Sequence, residues 1–264
     1  MPLNEVNRAS LHDWEVESLR ATAFLSPEGE IKPDNWWRDV VGSEPETQVF
    51  QSKLGQKHHQ GTFGGGQLTL RILPSRIDWI LGKLQGIAVG GATTPEPDAG
   101  GIPTIGHFDE ICPRFSELIT RWFHLGPSLT RLAFGVIVLL PISDRVEGYR
   151  RLAAYLPALK IDAEGSSDLL YRINRKRNSE SGIENLRLNR LSTWSVASVE
   201  YKQIEITSGR ATVASGEPAY TCRVEMDINT APDFPGNFLP EKCPAVFEEL
   251  IRIGSEILEK GDVP

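Results

Sequence analysis

Cysteine and methionine are scarce in this 264-residue chain. There are two methionines and three cysteines, Cys112, Cys222 and Cys243, with no C-x-x-C pair. An odd, widely spaced set builds neither a disulfide framework nor a zinc ribbon, and it fits a reducing compartment. Long apolar runs are missing too. The longest, Phe134 to Pro141, falls far short of the roughly 20 residues that cross a bilayer. The opening stretch, MPLNEVNRASLHDWEVESLR, has no apolar segment of the kind a secretory signal needs, so a cytoplasmic location with no membrane partner is expected. Positive charge is outweighed: 28 Lys and Arg against 35 Asp and Glu leave a net charge of -7. That balance argues against broad, non-specific nucleic-acid binding, though a local basic patch can persist inside it. No G-x-S-x-G elbow and no H-E-x-x-H pair occurs, so the sequence offers no hydrolase or metalloprotease signature.

What is present is ordinary globular composition, 40% hydrophobic and 24% charged, with clear periodicity. Residues 15–25 read as a strand. KPDNWWRDVVG reads as a short helical turn between Asp34 or Asn35 and Gly42, with Trp36 and Trp37 plugging the core edge. Alternation predicts strands over 46–54, 60–73 and 76–81. Periodicity then vanishes, and residues 82–106, rich in Gly, Pro and Thr, read as a long mobile loop. HFDEICPRFSELITRWFHLG carries apolar residues at helical spacing, and Pro113 suggests a regular helix starting there. LTRLAFGVIVLLP is a buried strand by its continuous, β-branched character. A helix follows, with Asp144 and Glu147 at capping-box spacing. Strands are expected at 168–177, 184–196, 198–207 and 219–229, then a last helix from Pro244 to about residue 260. Grouped strands with interspersed helices predict an α+β fold: antiparallel sheets with amphipathic helices packed on one face. The layout suggests two duplicated sheet-plus-helix halves, 1–127 and 128–264.

Three stretches invite a functional reading. Gly64, Gly65 and Gly66 lack the lysine and the following helix of a phosphate-binding loop, so they point to a turn or a close backbone approach. His107, Asp109, Glu110 and Cys112 form the densest local constellation for chemistry and would carry an enzymatic alternative. Their simpler explanation is acidic residues at a helix start. The third stretch, YRINRKRNSESGIENLRLNR, departs from the acidic average with Arg172, Arg175, Lys176, Arg177, Arg187 and Arg190 around a Ser181-Gly182 turn. A hairpin there would project a basic rim able to meet an acidic protein or phosphates, or would simply blunt a sheet edge.

The segments LTRLAFGVIVLLP, RVEMDINT and PAVFEELIRIGSEILEKG, with their order in the chain, resemble an uncharacterised, sporadically distributed bacterial protein family of about this length. The resemblance brings no known reaction and no functional residue. It implies mobile gene neighbourhoods, including antiviral defence, CRISPR-accessory and toxin–antitoxin operons. The expectation is a non-catalytic protein that binds another protein as regulator, inhibitor or adaptor through the six cations above. No cofactor, no metal and no catalytic residue is expected. A nucleic-acid binder using 172–190, an enzyme using His107–Cys112 and a chaperone-like antitoxin are the alternatives.

Overall fold

The computed structural model describes residues 8–26, 35–84, 102–200, 202–207, 210–215 and 217–262. In chain order the elements are β1 (Glu15–Leu25), α1 (Trp36–Val41), β2 (Thr47–Gln51), β3 (Gln56–Phe63), β4 (Gly66–Leu73), β5 (Arg76–Gly82), α2 (Phe108–Phe123), β6 (Leu129–Ile142), α3 (Arg145–Tyr155), β7 (Leu170–Asn178), β8 (Arg187–Val199), β9 (Lys202–Thr207), β10 (Arg210–Ser215), β11 (Ala219–Thr230) and α4 (Cys243–Lys260). Nine strands make one antiparallel sheet in the order β2-β3-β4-β5-β1-β6-β11-β8-β7, and β9 and β10 pair with each other. The fold is therefore α+β, weighted toward sheet. Among the described residues no helix is long and apolar enough to cross a membrane.

The continuous apolar run of β6 explains its place in the middle. It pairs with β1 on one side and with β11 on the other, so both of its edges are closed, and most of its residues are buried. Directly opposed residues of antiparallel strands project from the same face. Register then sorts the sheet into two rows of opposite character. Leu70, Trp79, Ala21, Phe134, Ile228, Arg190 and Arg175 oppose one another in turn across seven strands. One residue along, Arg71, Asp78, Thr22, Ala133, Asn229, Asn189 and Lys176 make the matching row on the other face.

Aromatic rings fill the first face. Trp122 of α2 meets Trp79 edge-on, and Trp37 of α1 stacks on Trp79. Phe247 of α4 packs edge-on against Phe134. Tyr155, at the end of α3, stacks on Trp194 of β8. Tyr155 also ties both ends of the described chain together. Its hydroxyl accepts from the Ala9 amide at 2.7 Å, and its carbonyl accepts from the Asp262 amide at 2.8 Å.

Several boundaries differ from the sequence reading, each for a local reason. The stretch 60–73 is not one strand but β3 and β4, joined at the glycine triplet. Gly64 and Gly65 have φ of 57° and 84°, and Phe63 pairs with Gly66 across them. Positive φ at both central residues of a two-residue loop is what a type I′ hairpin turn requires. Gly66 follows because a Cβ there would lie 2.6 Å from the Gly82 carbonyl oxygen. Pro113 lies inside α2 rather than at its start. The first turn forms ahead of it, with the Ile111 amide donating to His107 at 3.0 Å, because burying Phe108 and Ile111 outweighs one missing N–H. In α3 the Asp144 carboxylate caps the Glu147 amide, while the Glu147 carboxylate reaches back to Ser143. Of the loop expected at 82–106, residues 85–101 lie outside the described residues. Thr104 donates to Glu15, and Ile105 is buried.

The turn geometry predicts a split among the three glycines. Gly64→Asn should leave stability within about 0.5 kcal/mol, because Asn-Gly suits a type I′ turn. Gly65→Val should cost roughly 1–3 kcal/mol. Urea denaturation checks both; equal effects at the two positions would contradict the turn.

Candidate partner-binding surface

The six cations expected to form a basic rim are divided by the pleat. Burial along β7 alternates strictly, with Leu170, Arg172, Asn174, Lys176 and Asn178 exposed and the residues between them partly buried. Arg175 and Arg177 therefore turn the other way, toward α4 and the end of the described chain. Arg175 binds Asp262 bidentately at 2.9 and 3.0 Å, and the Tyr171 hydroxyl donates to the same carboxylate. Arg177 pairs with Glu256 at 3.1 Å and sits 3.9 Å from Glu249. Arg190, opposite Arg175 in register, is buried at 7% exposure. Burial, reinforced by Arg177, pushes its guanidinium below the ordinary value. Arg187 lies on the surface, paired with Asp233.

The result is a partly buried charge cluster fastening the β7–β8 edge to α4. Glu249 is enclosed at 5% exposure, accepting from the Ser179 hydroxyl and the Glu180 amide. The Asp262 carboxyl is held below its ordinary value, first by its hydrogen bond from Arg175 and then, against burial, by that from Tyr171. Apolar Tyr171 and Ile173 sit at the same parity as Arg175 and Arg177. Period-two counting on those two residues is the signal in the sequence that marks which cations turn inward.

On the opposite face the situation reverses. Arg20 of β1, Arg71 of β4, and Arg172 and Lys176 of β7 are exposed, and register puts all four on the polar face. Among the described residues none of them makes an ion pair or a hydrogen bond. The acids of this face are already engaged. Asp78 is buried between Thr22 and Arg76, Glu17 and Glu225 both pair with Arg223, and Asp227 accepts from Asn229. His58, opposite Arg71, is pushed below its ordinary value by burial and then by that guanidinium, so it adds no positive charge at neutral pH. A chain of amides crosses the same face: Asn174 donates to Asn189 at 3.1 Å and Asn189 to Asn229 at 2.9 Å. Arg131 reaches Asn229 from β6 at 2.8 Å.

The His107–Cys112 segment does not converge. The His107 ring stacks on His12 at 4.0 Å, and its Nδ1 lies 2.7 Å from the His12 carbonyl oxygen. Asp109 lies 3.2 Å from His12 Nδ1. Glu110 is exposed, while Cys112 is buried in the core face of α2. The pair His12–Asp109 can orient an imidazole. His12 is reached only through the fold and had no marker in the sequence. Among the described residues no group of three His, Cys, Asp or Glu side chains stands close enough to hold a metal ion. All three cysteines are buried. Burial pushes each thiol up to about 12. Cys243 is enclosed because it opens α4, whose first turn packs into the core.

No family model, no curated protein and no solved structure matches this chain.

Two predictions rest on this geometry. Asp262→Asn should destabilise the protein by roughly 1–3 kcal/mol, the usual cost of disrupting buried charge-assisted hydrogen bonds. A depressed carboxyl contributes stability that is full above its ordinary value of 3.8 and lost as pH falls through the folded-state value. The gap between wild type and Asp262→Asn should therefore narrow on acidification, as read by denaturation at stepped pH. A gap constant down to acid unfolding would contradict the assignment. Thiol labelling at mildly alkaline pH should leave the native protein unmodified and modify all three cysteines in denaturant, because only the thiolate reacts. Rapid labelling of the native protein would revive a cysteine nucleophile.

Proposed function

We propose that this protein is a non-catalytic regulator, inhibitor or adaptor that holds an acidic segment of a protein partner against the polar face of its sheet. One observation carries the reading. In a chain of net charge -7, four exposed cations without partners among the described residues share a face on which Asp78, Glu17 and Glu225 pair with arginines and Asp227 accepts from Asn229. An acidic surface brought to that face gains Coulomb energy without displacing internal pairs, and like-charged intruders are few. In this proposal helices α1 to α4 cover the aromatic face, and the polar face is what remains for recognition. The element order supports a duplication as well. Each half runs strand, helix, strands, helix, four strands β2 to β5 in the first and five, β7 to β11, in the second, where β9 and β10 form their own pair, with β1 and β6 side by side at the join.

Arg172 and Lys176 remain binding residues in this account, joined by Arg20 and Arg71. Arg175, Arg177 and Arg190 serve indirectly, by fixing the β7 edge to α4. Phosphate is the competing ligand, since the same cations would take it.

Affinity capture from native cells, with and without nuclease, separates the two. The wild type should retain a protein whose retention falls as salt rises and survives nuclease. Arg172→Glu/Lys176→Glu should lose that protein and keep its melting temperature, because exposed charges add little to stability. Identical capture by both proteins would refute the proposal. Retention abolished by nuclease, with steeply salt-dependent binding of an oligonucleotide in a gel shift, would replace it with nucleic-acid binding.

A further inference from the structure

The two outer strands of the nine-stranded sheet are guarded very differently. β7 carries Arg172, Arg175, Lys176 and Arg177, and two copies of it brought together would oppose like charges. β2, at the other end, reads Thr-Gln-Val-Phe-Gln and is exposed at every residue. It has no charge, no proline and no bulge, the devices by which edge strands are kept from pairing. Among the described residues nothing pairs with its outer side. Exposed apolar side chains concentrate there as well. Val49 is 46% exposed, Phe50 63% and, just after the strand, Leu54 57%. Val49 projects from the polar face, opposite His58, and Phe50 from the other, opposite Lys57.

We propose that β2 pairs with β2 of a second copy, antiparallel about a twofold axis perpendicular to the sheet, so that the sheet runs on through the dimer. This inference stands apart from the polar-face reading and uses the opposite edge. Two features of the strand select a second copy as its occupant. The first is neutrality. Centring the axis on Val49 pairs all five residues of the strand: Val49 with Val49, Gln48 with Phe50, Thr47 with Gln51. No like charges meet, which matters between two chains of net charge -7. The second is complementarity at the flanks. Glu44 and Glu46 precede β2, and Lys53 follows it. The antiparallel arrangement brings Glu46 of each copy opposite Ser52 of the other, beside its Lys53. A twofold axis perpendicular to the sheet preserves its faces, so the polar faces of both copies stay on the same side. A five-residue edge buries less than the roughly 1,200 Å² of a standard stable interface, so the dimer is concentration-dependent.

Sedimentation equilibrium on the full chain tests this with a charge swap at the axis. The wild type should dimerise reversibly across the micromolar range. Val49→Lys alone and Val49→Glu alone each place like charges directly opposite and should weaken dimerisation at least about tenfold. An equimolar mixture of the two should recover it as a heterodimer, which a misfolded variant cannot do. Three outcomes overturn the proposal. A wild type monomeric at high micromolar concentration with fast amide exchange at residues 47–51 leaves the edge for a foreign chain. A monomer in which those amides are protected means that the chain covers its own edge. Variants that dimerise like the wild type put the interface elsewhere.

Discussion

The fold depends on β6. Its apolar run pairs along its length with both β1 and β11, and these partners come from opposite parts of the chain. Without it the meander β2 to β5 with β1, and the group β7, β8 and β11, would each end in a long hydrophobic edge. Most of β6 is buried, and its own sequence carries no alternation. The strands beside it supply the contrast, apolar toward the aromatic rings and polar away from them. Every later feature, including which arginines are paired and which are not, follows from the register that β6 imposes on its neighbours.

That register explains how an acidic protein can offer a cationic surface. The chain has enough acid to neutralise its basic residues, but a side chain can pair only with what lies on its own side of the sheet. Asp262, Glu256 and Glu249 stand beside Arg175 and Arg177, beyond the reach of Arg172 and Lys176. The four cations without a partner among the described residues are left over by geometry rather than by composition. Net charge alone argued against broad nucleic-acid binding but left room for a local basic patch, and register gathers four exposed cations on one face. The inward cations have a structural role that substitution would expose as instability. The outward ones are free to meet a partner.

Much of the fold was legible in the sequence. β6 announced itself by continuity, α4 by Pro244, and α1 by the flanking Asp34 or Asn35 and Gly42. The glycine triplet reads as a turn or a close backbone approach, and φ values and spacing assign the turn to Gly64 and Gly65 and the close approach to Gly66. Sheet order was not legible. The β1–β6 pairing joins Glu15 to Leu139, and no local pattern encodes a contact at that separation. The candidate surface was half visible. Arg172 and Lys176 stood out by charge, but Arg20 and Arg71 are isolated cations in otherwise unremarkable strands, and only cross-strand register gathers them. The pairing of Arg175 and Arg177 was hidden because their acids lie at the far end of the sequence.

The central claim is that recognition uses the polar face as a whole and not merely its β7 edge. Arg20 tests this most directly. It stands on β1 in the middle of the sheet, exposed, with its guanidinium lying over Gly135 of β6. Retention of the captured partner by Arg20→Glu, measured at physiological salt beside the wild type, is the decisive measurement. The account predicts that retention is lost while the melting temperature stays unchanged. Undiminished retention would contradict it.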